Sequence, residues 1–385
     1  MKRYYFDNAA TSYPKPQTVI TEMMKYFSEI GSSPGRGGYE LGIEAGRIVF
    51  NTRNNIKKLF NAPSEENVVF TPNVTYALNM VFLGILKPND HVITTSMEHN
   101  SVIRPLRYLE KSRKIDLTIV KCDSKGQLDP MDIKRAIRKN TKIIVMTHAS
   151  NITGGIAPIE HISKIKEETG AYFVLDCAQT AGVLDIDFKK LQLDFLAFTG
   201  HKGLYGPPGT GGLILSDIAA DEIVPLIHGG TGSKSDMEYQ PDFMPDKMEA
   251  GTPNTIGIAG LYAGLNFVNE KGIKTIREHQ TKLTKIFMEG LKELPRVRVF
   301  GQEEPDKRVA VVSIDVRGAD LGELAYRLDN DYKIMIRSGL HCAPLAHKTI
   351  GTYPKGTLRF SFGSFNTEQE IMYCLKSLKE IIQKS

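Results

Sequence analysis

The feature of this sequence that most constrains its fold is a regular alternation of two kinds of segment between about residues 67 and 216. Short runs rich in β-branched residues, such as NVVFT, HVITTS, LTIVKC and KIIVMTHAS, alternate with apolar residues at helical spacing, as in VTYALNMVFLGIL and IEHISKIKEETG. The series ends with AYFVLDCAQ, DFLAFTG and GGLILS. Strands separated by helices of this length need crossover connections, so the pattern predicts an α/β fold with a mostly parallel central sheet flanked by helices.

The pattern changes after about residue 256. Two long helical stretches lead to the strand-like runs AVVSIDV, KIMIRSG and TLRFSFG, and the chain closes with an amphipathic helix. One face of that helix is predicted to be buried, because apolar residues recur on it at helical spacing. These residues are Ile371, Cys374, Leu375, Leu378, Ile381 and Ile382. A chain of 385 residues exceeds the usual size of one core, so we expect this part to form a second, smaller α+β domain.

Charge balance and cysteine spacing exclude several classes of protein. The net charge of +5 comes from 49 basic and 44 acidic side chains without long runs of one sign, so nucleic acid is not an expected partner. We find no apolar segment of signal-peptide or membrane-spanning length, and we expect a cytoplasmic protein without a membrane partner. The cysteines lie far apart without a C-x-x-C pair, which predicts neither a metal site nor a disulfide framework. They are Cys122, Cys177, Cys342 and Cys374.

A single lysine, Lys202, lies in the glycine-rich stretch FTGHKGLYGPPGTGG that follows a predicted strand. No G-x-x-x-x-G-K-[ST] or G-x-G-x-x-G motif is present, so a nucleotide-binding loop is not favoured. By itself, a lysine of this kind is more often an ordinary loop residue. The residues at the ends of neighbouring strands change that interpretation.

Several polar residues follow other predicted strands of the same sheet. Asp176 and Gln179 come at the end of VLDCAQ, and His99 follows HVITTS. Thr75 lies in the first turn of a predicted helix, where free amides and the helix dipole favour a phosphate. Each of these residues alone has an ordinary explanation as a turn, cap or structural residue. Because ligands of α/β sheets bind at the carboxyl ends of the strands, we expect them to face one crevice together with Lys202.

This combination predicts pyridoxal 5'-phosphate as the cofactor. That cofactor needs a lysine to form its Schiff base, an acid beside its pyridinium nitrogen and a cradle for its phosphate. Lys202 and Asp176 would supply the first two. The lysine amine must be unprotonated to react, which a desolvated site favours.

The sequence resembles the class V aminotransferase-like enzymes of fold type I, and among them the cysteine desulfurases. The resemblance covers nearly the whole chain, through YFDNAATSYPKP, EHNS, SNITGG, DCAQ, GHKGLYGPPGTGGL, AGTPNT, RSGLHCAP and LRFSFGSFNTEQEI. The context R-S-G-x-H-C around Cys342 is similar to that of the SufS-like desulfurases and of the selenocysteine lyases. A large cofactor-binding domain at residues 15–256 is therefore expected, with residues 1–14 and 257–385 forming a small domain that carries a catalytic cysteine and a substrate arginine.

The resemblance implies roles for individual residues. His99 would stack on the cofactor ring and act in catalysis, and Asn151 would lie near the ring's phenolic oxygen and the substrate. The remaining assignments are Asp176 for the ring nitrogen, Gln179 for the phenolic oxygen, Thr75, Thr199 and His201 for the phosphate, and Thr252 for the phosphate of the partner subunit in a homodimer. Arg359 would bind the substrate carboxylate in the bidentate manner that lysine cannot reproduce.

Two positions depart from the pattern of the resembled family. Gly35 stands before Arg36 and Gly37, where many SufS-like relatives have a histidine. Leu340 and a single His341 precede Cys342, where those relatives have a pair of histidines. We therefore expect the contacts around the thiol to differ.

The predicted activity is conversion of L-cysteine to L-alanine, with the sulfur held as a persulfide on Cys342 and passed to an acceptor, for example in iron–sulfur cluster assembly. Its closest alternatives are a selenocysteine lyase acting on L-selenocysteine and a class V aminotransferase, which share Lys202 and Asp176. Two alternatives from other classes are a sulfur-transfer scaffold without turnover and a phosphate-binding module built on the glycine-rich loop. A scaffold would need none of Lys202, Asp176, Gln179, Arg359 and Cys342 in combination.

Overall fold

The computed structural model describes residues 2–34 and 38–383. Its strands are β1 (Tyr4–Tyr5), β2 (Val68–Thr71), β3 (His91–Thr95), β4 (Asp116–Val120), β5 (Thr141–Thr147), β6 (Tyr172–Asp176), β7 (Phe195–Thr199), β8 (Gly211–Leu215), β9 (Val297–Phe300), β10 (Val311–Val316), β11 (Ile334–Met335), β12 (Arg337–Gly339) and β13 (Thr357–Ser361).

The α-helices are α1 (Gln17–Lys25), α2 (Glu40–Phe60), α3 (Val74–Ile85), α4 (Asn100–Ser112), α5 (Pro130–Ala136), α6 (Ile159–Glu167), α7 (Asp217–Glu222), α8 (Thr255–Lys271), α9 (Ile273–Lys292), α10 (Leu321–Tyr332), α11 (Pro344–Thr349) and α12 (Glu368–Gln383). A π-helical turn at Tyr26–Ile30 continues α1, and a 3₁₀ turn covers Pro305–Lys307. Within the described ranges, none of the helices is both long and apolar enough to cross a membrane.

The central sheet has seven strands in the order β2-β8-β7-β6-β5-β3-β4. Neighbouring strands are parallel throughout the segment β7-β6-β5-β3-β4 of this sheet. Only β8 runs the other way, because it pairs antiparallel with both β7 and β2. The predicted α/β fold with a mostly parallel central sheet is confirmed.

Alternate side chains of the central strands enter two separate cores. Phe173 and Leu175 of β6 pack on one face, and Tyr172 and Val174 of the same strand pack on the other. Helices cover both faces, and every residue of β6 is buried. This explains why the strands read as continuous apolar runs in the sequence instead of alternating with polar residues.

The second part of the chain builds an antiparallel sheet in the order β12-β13-β10-β9. Helices α9, α10 and α12 pack with it around a third core, and the predicted buried face of α12 is part of that core. Phe6 from the start of the chain lies in the same core, and β1 pairs in parallel with β11. Residues 4–6 therefore pack with the second part of the chain, whereas Thr11 and Ser12 contact His201 after β7.

The expected domain boundary at residues 256 and 257 falls inside α8. Leu261 and Leu265 of this helix belong to the core beneath the central sheet, and α8 packs along α1 and α2. We therefore propose that the small domain begins after α8, near Gly272.

Gly264 tests the packing of α8 against the loop that follows β7. A Cβ at this position would clash with the carbonyl oxygen of Leu204, so we expect Gly264→Ala to destabilise the protein by about 1–3 kcal/mol. The matched control is Gly46→Ala in α2, where a Cβ would meet open space and alanine should stabilise the helix by about 0.5–1 kcal/mol. Thermal unfolding of both variants measures the difference. Equal effects of the two changes would contradict this packing.

Candidate active site

Two parallel strands end at the same edge of the central sheet and bring the main candidates together. Asp176 is the last residue of β6 and is 2% exposed, and Thr199 is the last residue of β7 and is also buried. Lys202 follows three residues after β7. A Cβ at Gly203 would clash with the carbonyl oxygen of Ala181, so the loops after the two strands touch where glycine allows it. This edge is the candidate site.

Lys202 lies in a desolvated position between charges of both signs. Burial lowers the pKa of Lys202 to about 8, and the positive charge of Arg359 acts in the same direction. The negative charges of Asp176 and Asp7 oppose them. At pH 7 the fraction of unprotonated amine is then roughly 300 times that of an ordinary lysine. Lys202 is therefore suited to act as a nucleophile or a base near neutral pH.

Asp176 is a buried carboxylate with few partners. Burial raises its pKa, and the backbone N–H of Ala178, which donates to Oδ1 at 2.9 Å, and the charge of Lys202 counteract that rise. Such a carboxylate gains most from a cationic partner, because a charge in a low-dielectric site is costly when it stays unpaired.

One carbonyl oxygen fixes the chain immediately before Lys202. The oxygen of His201 lies within hydrogen-bond distance of four donors from residues 11–15. They are Thr11 Oγ1 (3.0 Å), Ser12 N (3.0 Å), Ser12 Oγ (3.2 Å) and Lys15 Nζ (2.7 Å). The N-terminal segment therefore holds the lysine loop in place, a contact that the sequence motifs did not reveal.

Two buried polar atoms next to Lys202 have no hydrogen-bond partner in the protein. They are Oγ1 of Thr199 and Nδ1 of His201. Unpaired buried polar atoms are rare in native folds, and a bound ligand is one explanation for them. Both belong to the set that the resemblance assigns to a phosphate.

The amino end of α3 lies close to these atoms. Gly211 pairs with both Thr71 and Thr199 across the sheet, and a Cβ on it would approach the backbone of Asn73 to 2.9 Å. Asn73 caps the helix by accepting from the N–H of Tyr76 at 2.9 Å. Since Asn73 supplies the cap, Thr75 is free for another role, and it is exposed in the first turn.

His99 begins α4 at the same edge of the sheet. Its Nδ1 accepts from the backbone N–H of Ser101 at 3.1 Å, which caps the helix. Burial, followed by the charges of Lys202 and Arg359, lowers the pKa of His99 to about 4. The imidazole is therefore neutral at pH 7, which suits stacking on an aromatic ring better than carrying a proton.

Gln179 and Lys202 line one small cavity, together with Asn8, Ser12 and Gln280. The amide of Gln179 donates to the carbonyl oxygen of Ala9 at 3.1 Å. Val311 and Phe362 also line this cavity, whereas Asp176, Thr199 and His99 do not.

Asn151 joins the central sheet to the small domain. Its side-chain Nδ2 donates to the backbone carbonyl oxygen of His341 at 2.8 Å, and its backbone carbonyl oxygen accepts from Arg359 Nη1 at 3.3 Å. Arg359 lies in β13, is 2% exposed and donates to Asp7 Oδ1 at 2.6 Å. The structure therefore brings Asn151 and Arg359 together, and it adds Asp7, which the sequence motifs contained but did not single out.

Cys342 lies in a turn between β12 and α11 that contains two left-handed residues in succession. The φ angles are 46° at His341 and 58° at Cys342, a conformation that costs L-residues about 1–2 kcal/mol each. The carbonyl oxygen of Cys342 accepts from the N–H of Asn100 at 2.8 Å, in addition to the bond from Asn151 to His341. The backbone carbonyl oxygens of both residues are thus anchored by hydrogen bonds, while Cys342 is exposed.

His341, beside this cysteine, is buried and neutral. Burial and the charge of Arg359 lower the pKa of His341 to about 3, and its Nδ1 has no partner. The imidazole can accept a hydrogen bond at neutral pH but holds a proton weakly.

Thr252 is not part of the cavity that Lys202 lines. It is exposed and lies in a different cavity, between Tyr76, Thr210 and Glu249. Gly35, Arg36 and Gly37 lie outside the described residues.

No group of three or more His, Cys, Asp or Glu side chains in the described part of the chain is arranged to hold a metal ion. A half-buried lysine and a buried carboxylate instead lie at the carboxyl edge of an α/β sheet, and the turn of Cys342 is hydrogen-bonded to Asn100 and Asn151. An α/β fold with a lysine of lowered pKa and a buried carboxylate at the carboxyl edge of its sheet is the arrangement expected of an enzyme.

Comparisons with known proteins identify the family. The sequence model of the family described as "Aminotransferase class-V" matches residues 4–373. A protein from Pyrococcus abyssi named "Probable cysteine desulfurase" is 37% identical, with 98% of this chain and 94% of that protein covered. One of the same name from Methanothermobacter thermautotrophicus is 33% identical, with 99% and 95% covered. The chain belongs to the class V aminotransferase family.

Solved structures agree with this assignment. The apo structure of a cysteine desulfurase from Thermococcus onnurineus NA1 matches with a TM-score of 0.94 at 35% identity, covering 100% of this chain and 95% of that chain. The cysteine desulfurase CsdA from Escherichia coli, solved as the S-sulfonic acid form, matches with a TM-score of 0.89 at 25% identity, covering 99% and 95%. The family resemblance recognised in the sequence is confirmed.

The pKa of Lys202 provides a direct test of the site's electrostatics. We expect a pH profile of Lys202 modification by formaldehyde and cyanoborohydride, followed by peptide mass spectrometry in the absence of cofactor, to have a midpoint near pH 8. Asp176→Asn should move the midpoint down, because the Asp176 charge raises this pKa, and Arg359→Gln should move it up. A midpoint near the ordinary value of 10.5, or the opposite order of the two variants, would contradict the geometry.

Proposed function

We propose that the protein is a pyridoxal 5'-phosphate-dependent cysteine desulfurase that converts L-cysteine to L-alanine and retains the sulfur as a persulfide on Cys342. The observation that carries the proposal is the anchored turn of Cys342, held by Asn100, which follows His99, and by Asn151, which also contacts Arg359. Relatives named as cysteine desulfurases, at 33–37% identity over nearly the whole chain, support the same activity.

The residues present fit the cofactor. Thr199 Oγ1 and His201 Nδ1 are buried atoms without hydrogen-bond partners in the protein, and both would be available to bind the cofactor phosphate. Thr75 would add a hydroxyl at the amino end of α3, where the helix dipole favours an anion. Asp176 would hold a positive charge on the ring nitrogen. When bound, pyridoxal phosphate supplies an aldehyde for amines and a ring that accepts an electron pair from the amino acid.

Gln179, His99 and Lys202 complete the cofactor site. Gln179 would donate or accept at the phenolic oxygen, and the neutral imidazole of His99 would lie against the ring. Lys202, with its pKa lowered to about 8, holds an amine that is reactive near neutral pH. The same amine can take the proton from Cα of the substrate, because its lowered pKa leaves a reactive fraction unprotonated near neutral pH.

Arg359 would bind the substrate carboxylate. Its guanidinium is buried, oriented by Asp7 and by the carbonyl of Asn151, and Nε has no partner in the protein. The Nε–H would therefore be available to donate to a substrate carboxylate. Substrate bound there would be oriented between Asn151 and the turn of Cys342.

Cys342 would receive the sulfur. Its thiolate attacks the sulfur of the bound cysteine, the new S–S bond forms, and the Cβ–S bond breaks with its electron pair remaining on the amino-acid carbon. A proton then completes the methyl group of alanine, so one cysteine and one protein thiol give one alanine and one persulfide. The exposed position of Cys342 would let an acceptor reach the persulfide.

The assembly and partners form part of the same proposal. Apolar side chains are exposed along α1, the π-helical turn and α2, at Ile20, Met24, Phe27 and Phe50, which supports pairing with a second copy. In a homodimer, Thr252 would reach the phosphate of the partner's site. A sulfur-acceptor protein would dock at Cys342, and a reducing compartment such as the cytoplasm would keep this thiol free.

Replacing Cys342, the proposed carrier of the persulfide, tests desulfuration separately from cofactor binding. We expect Cys342→Ala to lower alanine formation from L-cysteine by about a thousandfold or more, with the visible absorbance of the bound cofactor unchanged. Cys122→Ala is the matched control, because Cys122 packs in an apolar cluster next to Ala343 and should change the rate little. Desulfuration by Cys342→Ala at the original rate would exclude the persulfide mechanism. Parallel assays with L-selenocysteine test the lyase alternative.

Arg359→Lys tests carboxylate binding. Loss of a charge-assisted bidentate contact, about 1.5–3 kcal/mol, should raise KM for L-cysteine about 10- to 100-fold with a smaller change in kcat. Arg337→Lys is the matched control, because Arg337 is the register partner of Arg359 on β12 but is exposed. An unchanged KM in Arg359→Lys would place the carboxylate elsewhere.

A further inference from the structure

A second buried acid lies at the same edge of the sheet as Asp176. Glu98 precedes His99 in the segment between β3 and α4 and is 1% exposed. Its Oε1 lies 2.6 Å from Thr95 Oγ1, and its Oε2 accepts from the backbone N–H of Thr147 at 2.9 Å. Glu98 thus connects the carboxyl end of β3 with the carboxyl end of β5.

This connection is adjacent to Asp176. Thr147 is the last residue of β5, and its register partner in β6 is Asp176. The side chain of Glu98 is therefore tied to the backbone that flanks Asp176 on one side, and its own backbone continues directly into His99. Two candidate cofactor contacts depend on where Glu98 is held.

The surroundings of Glu98 disfavour a charge on it. Among the residues that the structure describes, no cation forms an ion pair with Glu98. The titratable groups that face it are Asp176 from β6 and Cys122 from the segment after β4. Burial raises the pKa of Glu98 to about 8, and the charge of Asp176 adds to this, against the hydrogen bonds from Thr95 and Thr147. At pH 7 the acid is mainly protonated.

We infer that Glu98 is a positioning residue, an uncharged acid that holds the ends of β3 and β5 so that His99 and Asp176 are presented to the cofactor, with Asp176 carrying the negative charge of the pair. Two buried carboxyl groups with different protonation in one site are a known way to assign different roles to them. The inference rests on the proposed function for the identity of the ligand, but the protonation of Glu98 is a property of the protein alone.

Thermal unfolding against pH tests the protonation. An acid with a folded-state pKa of about 8 and an ordinary value of 4.5 stabilises the fold fully below pH 4.5, and that stability is lost as the pH rises to 8. Glu98→Gln keeps the shape and cannot ionise. We therefore expect the apparent Tm of Glu98→Gln to rise by several degrees relative to the original protein between pH 5 and pH 9, with and without cofactor.

Asp194→Asn is the matched control for this measurement. Asp194 is also buried and accepts a backbone N–H, from Phe173 at 2.8 Å, but it lies at the opposite edge of the sheet and pairs with Lys166. We expect this variant to show a constant offset in Tm over the same pH range. A constant offset in Glu98→Gln as well would overturn the assignment of an uncharged acid.

Cofactor binding tests the positioning role. At pH 7 we expect Glu98→Gln to bind pyridoxal phosphate with the original affinity and visible spectrum, because it reproduces the neutral acid. Glu98→Ala removes both contacts and should weaken cofactor binding about tenfold or more and alter the absorbance of the bound cofactor. An original affinity and spectrum in Glu98→Ala, with only Tm lowered, would show that Glu98 is structural and would overturn the inference.

The two measurements separate the inference from the proposed function. If the original protein acquires no visible absorbance with pyridoxal phosphate, the proposed function and the positioning of cofactor contacts both fail. The pH dependence of Tm still decides whether Glu98 is an uncharged acid. If the original protein binds the cofactor and Glu98→Ala does so equally well, the inference fails alone.

Discussion

Parallel pairing of β5, β6 and β7 is the constraint on which the site depends. Because parallel strands end at the same edge of a sheet, the loops that follow them must share one crevice. Asp176 and Lys202 therefore lie close enough for their charges to interact, although they are 26 positions apart in the sequence, and glycines allow the two loops to touch. The glycine-rich stretch after Lys202 ends in the antiparallel strand β8, which packs in the central sheet. Its glycines therefore allow close packing as well as the approach of a ligand.

Desolvation at that edge gives the residues their chemistry. The same loss of water that makes the amine of Lys202 reactive raises the pKa values of Asp176 and Glu98 and keeps His99 neutral. Asn151 extends this environment to the second sheet, since it contacts both the backbone of the cysteine turn and Arg359. Electrostatic preorganisation of this kind is a major part of enzyme catalysis.

The sequence predicted the α/β fold because strand and helix periods alternate over a long stretch, and it located Lys202 and Asp176 because each follows an apolar strand. It did not predict α1, α2 and α10, because all three lie outside the region in which strand and helix patterns alternate. The contact of Lys15 with His201 and the pairing of Asp7 with Arg359 join residues distant in sequence, so spacing could not predict them. The burial of Glu98 depends on three strands packing together, which no local motif records.

The central claim is that pyridoxal phosphate becomes covalently attached at Nζ of Lys202, beside the carboxylate of Asp176. The most direct measurement is to incubate the protein with this aldehyde, reduce it with borohydride, and map the added mass by peptide mass spectrometry. We predict one cofactor group for each chain, located on the peptide that contains Lys202 and absent from Lys202→Arg. A protein without added mass, or with the group on another lysine, would contradict the claim.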